Sequence, residues 1–125
     1  MSFAQNPPVT FVFTRDREKT RAFYKDILGL NLTEISAFAD VFELNGATLR
    51  IVPIPDHVPS PHTVLGWEVA DIHQTARMLL DKGVQMQRYD GFDQDDLGIW
   101  SAPDRTAKVA WFLDPEGNNL SISQH

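Results

Sequence analysis

The sequence predicts an α+β protein built as two βαβββ modules, and three observations carry that prediction. An apolar strand, VTFVFT at residues 9–14, runs into Asp16, an amphipathic helix and Gly29. The same order returns as VLGWEV at residues 64–69, then Asp71, a second amphipathic helix and Gly83. Each helix is followed by short strand-like segments. A frame that occurs twice in one short chain constrains topology more than any local propensity does.

In the first module a helix is expected over residues 17–28. The Asp16 carboxylate can accept from the free N–H groups of its first turn. Thr20, Phe23, Tyr24, Ile27 and Leu28 fall on one stripe, and Gly29 suits the left-handed position after the last turn. Residues 30–35 and 38–44 read as strands. Asn45-Gly46 signals a tight hairpin, so residues 47–52 return as the next strand. Residues 53–63 hold four prolines, which a central strand does not tolerate; they form the linker. In the second module Asp71 with Gln74 resembles a capping box, and Ile72, Ala76, Leu79 and Leu80 make the stripe of a helix over 72–82. Residues 84–89, 106–113 and 118–123 are the expected strands. The loop 90–105 is acidic, carries Phe92 and Trp100, and is long enough to suggest function. The chain is thus one domain, 1–125, with module one at about 7–53, the linker at 53–63 and module two at about 62–125.

Composition removes several function classes. The 125 residues have a net charge of −6 and no basic cluster to neutralise phosphates, so nucleic acid is not an expected partner. The absence of cysteine excludes a disulfide, a thiol nucleophile and a zinc–thiolate site. No apolar run reaches membrane-spanning length, and the start lacks the features of a signal peptide. A cytoplasmic protein without membrane contact is expected.

The order βαβββ–βαβββ, the run AFYKDILGL at residues 22–30 and DPEGN at 114–118 resemble the glyoxalase/bleomycin-resistance/extradiol-dioxygenase superfamily, the vicinal oxygen chelate proteins. The resemblance covers nearly the whole chain. It implies that each module is a curled sheet with a helix outside and that the sheets enclose a cavity. It also implies a homodimer. DPEGN has a plain structural reading as well: Pro115 and Gly117 make a turn whose backbone Asp114 and Asn118 tie down.

Enzymes of that family hold a divalent metal with side chains from the first and last strands of each module. Here the resemblance maps those positions onto Val9, Arg50, Val64 and Ser121. A divalent ion wants carboxylate, imidazole or carbonyl donors; two valines offer none, and arginine brings a fixed positive charge. His62 and Glu68 share the strand face of Val64 by alternation, with His57 in the linker, so a non-standard ligand set stays open as an alternative. The reading taken is that no metal and no other cofactor is bound.

Alternation assigns Val9, Phe11 and Phe13, Thr48, Arg50 and Val52, Val64, Gly66 and Glu68, and Asn119, Ser121 and Ser123 to the cavity side. Phe42, Trp100 and Trp111 are further candidates without an assigned face. The expected ligand site comprises Phe11, Phe13, Arg50, Glu68, Ser121 and Trp100. Arg50 matches a carboxylate or phosphate. Glu68 is a candidate general base provided burial raises its pKa; pairing of Arg50 with Glu68 is the structural alternative. His125, at the chain end, is expected to be loosely held. The leading reading is a metal-independent small-molecule-binding protein, similar to bleomycin-resistance members, with a small and anionic aromatic ligand. The alternatives are a metal-free lyase or isomerase using Glu68 and Arg50, and a metal enzyme with unfamiliar ligands.

Overall fold

In the computed structural model, which describes residues 2–125, the chain divides into two compact units, Met1–Pro59 and Ser60–His125. The division falls inside the proline-rich segment. The first unit contains a short 3₁₀ turn at Phe3–Gln5, then β1 (Val9–Thr14), α1 (Arg17–Ala22), β2 (Asn31–Ile35), β3 (Asp40–Leu44) and β4 (Ala47–Pro53). The second contains β5 (Thr63–Glu68), α2 (Ile72–Asp81), β6 (Trp100–Ser101), β7 (Lys108–Leu113) and β8 (Asn119–Gln124). The strand orders are β1-β4-β3-β2 and β5-β8-β7-β6. In each sheet the first strand runs parallel to the last, and the other pairs are antiparallel. The repeat read in the sequence is therefore a repeat of topology.

Both helices start as expected: Asp16 accepts from the Lys19 N–H and Asp71 from the Gln74 N–H, each at 3.1 Å. α1 continues from Phe23 to Ile27 as a π-helical segment, closed by the Leu28 N–H on the Phe23 carbonyl. The wider turn lets the adjacent rings of Phe23 and Tyr24 both be buried. α2 packs on β7 and β8 through Ile72, Ala76 and Leu79, all buried. Leu80, expected on that stripe, is exposed. It lies a further 100° round the helix from Leu79, at the rim of the apolar face. The hairpin of β3 and β4 turns between Leu44 and Ala47, with Gly46 at φ 86°, a conformation a β-carbon disfavours.

The strand expected at 84–89 is not one. It makes a single bridge, Met86 to Phe112, and the fourth strand of the second sheet is Trp100–Ser101, inside the segment read as loop. The Gln94 side chain displaces the expected ladder. Its amide donates to the Gln87 and Gly98 carbonyls, and its carbonyl accepts from the Tyr89 N–H. The Gln87 N–H still donates to the Trp111 carbonyl on β7 at 2.8 Å, but the Tyr89 N–H and the Gln87 and Gly98 carbonyls are satisfied by the Gln94 side chain rather than by a strand partner. The DPEGN turn forms as expected: Asp114 Oδ1 accepts from the Glu116 and Asn118 N–H groups, and the Asn118 amide donates to Asp114 Oδ2.

Among the described residues, no helix is long and apolar enough to cross a membrane.

Candidate functional site

Register places the candidate residues. In the first sheet Val12, Thr14, Leu49 and Ile51 are buried, whereas Val9 and Phe11 are about half exposed. The face opposite the helix therefore carries Val9, Phe11, Phe13, Thr48, Arg50 and Val52, as alternation predicts. Phe42 lies on the helix side, fully buried with its ring centroid 6.3 Å from that of Tyr24. The open face has a row Glu34–Val41–Arg50–Phe11 across four strands. Among the described residues of its unit the Arg50 side chain has no hydrogen-bond or ion-pair partner, and Phe13 leans on the His57 ring at 5.9 Å.

In the second sheet Gly66 stands opposite Ser121, and Glu68 opposite Ser123. A β-carbon at Gly66 would fall on the Ser121 hydroxyl, so the glycine leaves that side chain its space. Glu68 is exposed and already engaged. Its oxygens accept from the His125 N–H at 2.8 Å, pair with the His125 imidazole Nδ1 at 2.7 Å and accept from Ser123 at 3.2 Å. Those bonds, the imidazole's first, hold the carboxyl below the usual range. The burial that would raise its pKa is absent. His125, expected to be loose, is instead seated on Glu68.

The metal-ligand positions carry the same chemistry in the structure as in the sequence. The residue opposite Arg50 is Phe11, and the residue opposite Ser121 is Gly66. Neither Val9 and Val64 nor these register partners supplies a donor. The residues present do not fit a divalent ion.

The densest chemistry lies in the second unit. Tyr89, Phe92, Trp100 and Trp111 form one aromatic cluster. Trp111 meets the Tyr89 ring edge-on at 5.4 Å and the Phe92 ring at 5.6 Å, and Phe92 meets Trp100 at 5.8 Å. Tyr89, Phe92 and Trp111 of this cluster line an open recess of about 280 Å³ together with Pro61, His62, Thr63 and Asn119. Asn119 is 4% exposed. Its amide donates to the Tyr89 hydroxyl at 2.7 Å, and its carbonyl accepts from the Thr63 hydroxyl at 2.9 Å. An aromatic recess with a few fixed polar groups is the usual form of a small-molecule site.

Of the residues expected to bind ligand, Trp100 belongs to this cluster, and Ser121 lies opposite Trp111 in the sheet. Phe11, Phe13 and Arg50 lie on the open face of the other unit. Sequence reasoning missed Tyr89 and the role of Asn119. The recurrence of Tyr89, Phe92 and Trp100 at the edge of an acidic loop was the available signal.

A family model described as the Glyoxalase/Bleomycin resistance protein/Dioxygenase superfamily matches residues 7–122. Similar folds occur in a protein assigned to the glyoxalase family from Bacillus anthracis (TM-score 0.77, 16% identity, 100% of this chain and 98% of that one covered). A lactoylglutathione lyase from Agrobacterium tumefaciens also matches (TM-score 0.71, 15% identity, 96% and 93% covered). So does a glyoxalase/bleomycin resistance protein/dioxygenase from Nocardioides (TM-score 0.71, 16% identity, 95% and 82% covered). Comparison with curated proteins gives no match.

Proposed function

Because the chain belongs to the glyoxalase/bleomycin resistance protein/dioxygenase superfamily, we propose that it serves as a metal-independent member that binds a small aromatic molecule. The observation carrying this reading is that the rings of Tyr89, Phe92 and Trp111 line a recess in the second unit, with Trp100 packed against Phe92. Burying about 100 Å² of ligand ring surface there contributes about 2–3 kcal/mol before association costs. The donor set of Val9, Arg50, Val64 and Ser121 supports metal independence. Binding rather than base catalysis is supported by Glu68, whose carboxylate is stabilised in its ionised form and is correspondingly a weaker base. Arg50, beside Phe11 on the open face of the first unit, is proposed as a separate anion contact on that face.

The test is a fluorescence titration of chelator-treated protein with 2-naphthoate, read through the tryptophans. Saturable quenching by wild type, weakened about tenfold or more in Phe92→Ala, supports the reading. Absence of saturable binding, or identical binding by Phe92→Ala, contradicts it.

A further inference from the structure

We propose that the recess selects aromatic ligands bearing a hydrogen-bond acceptor, which the Tyr89 hydroxyl reads. The inference rests on the binding function proposed above and adds the polarity of the group recognised.

One chain of hydrogen bonds links three side chains: Thr63 Oγ1 donates to Asn119 Oδ1 at 2.9 Å, and the Asn119 amide donates to the Tyr89 hydroxyl oxygen at 2.7 Å. Asn119 is almost wholly buried, so neither end can exchange its partner for bulk water at low cost. The Tyr89 oxygen is thus used as an acceptor, while its own O–H hydrogen has no acceptor among the described residues. That hydrogen is the donor the recess holds in reserve. A ligand carbonyl, carboxylate or phenolate completes the chain. A donor-only group such as an amide N–H at the same place leaves the phenolic hydrogen unpaired.

The surrounding rings set the shape that brings the acceptor there. Tyr89 and Trp111 stand at 86° to each other, and Phe92 is tilted at 57° against Trp111. Rings at these angles present both edges and faces to a planar guest.

The probes are methyl 2-naphthoate, which carries a neutral acceptor, and 2-methylnaphthalene, which carries none. Their dissociation constants are measured by fluorescence on wild type and Tyr89→Phe. Wild type should favour the ester over the hydrocarbon by about three- to tenfold more than Tyr89→Phe does. The same ester preference in wild type and Tyr89→Phe overturns the donor assignment while leaving aromatic binding intact. Failure of both naphthalenes to bind wild type overturns the binding function itself, and this inference with it.

Discussion

Asn119 joins two segments far apart in sequence by donating to the Tyr89 hydroxyl at 2.7 Å while accepting from Thr63 on the neighbouring strand. One buried carboxamide thereby orients the polar group of the aromatic recess. Replacing it with leucine removes both bonds, leaving the Tyr89 hydroxyl without its donor and Thr63 without its acceptor. The expected cost is about 1–3 kcal/mol, read as a lower denaturation midpoint at unchanged slope. Tyr89→Phe, which leaves only the Asn119 amide unpaired, should cost less.

The first unit has its own buried polar anchor. Asp40, with a fully buried side chain, accepts from Arg17 at 2.8 Å and Arg21 at 3.0 Å. Arg17 also donates to the Ser36 carbonyl, so one carboxylate ties α1 to the turn between β2 and β3. Asp40→Ala leaves two guanidinium groups facing each other without an anion. We expect a loss of about 3–5 kcal/mol, measured by chemical denaturation. A loss below 1 kcal/mol would show that the arginines reach solvent freely.

Glu68 should titrate below the ordinary carboxylate range because His125 bonds it. A group whose folded pKa is depressed stabilises the fold above its unfolded pKa, and that contribution disappears as pH falls through the folded value. The seating of His125 should therefore persist at neutral pH and release in acid. Carboxyl-carbon NMR titration should place the Glu68 midpoint below 4.5, its unperturbed value. In His125→Ala the midpoint should move back up. An unchanged midpoint in that variant would assign the shift to something else.

The aromatic walls can be separated from the fold. Phe92 is 46% exposed, so Phe92→Ala should cost under about 1 kcal/mol of stability, well short of the 3–5 kcal/mol typical of a core phenylalanine. It should nonetheless weaken an aromatic probe about tenfold or more. Parallel losses of stability and affinity would mean that the ring is structural.

The elements most legible in the sequence were those set by local chemistry. Asp16 and Asp71 as caps, Asn45-Gly46 as a hairpin turn and the Asp114–Asn118 turn depend on bonds within a few residues, and each forms as read. The open face of the first sheet was legible too, because strand alternation is strict where one side packs on a helix. The segment 84–89 was not, since a single glutamine side chain, Gln94, takes the backbone groups that a strand partner would have used. The recess was legible only in part. Its rings come from the segment 89–92 and from β7, and their convergence depends on register that no periodicity encodes. Nor could the engagement of Glu68 be read, because its partner lies at the far end of the chain.

The account turns on an aromatic recess that works without a metal. The most direct measurement is calorimetric titration of methyl 2-naphthoate into chelator-treated protein, repeated after adding one equivalent of Ni²⁺ or Zn²⁺. The account predicts saturable binding with the same affinity in both preparations, lost in Trp111→Ala. Binding that appears only after a metal ion is restored would contradict it.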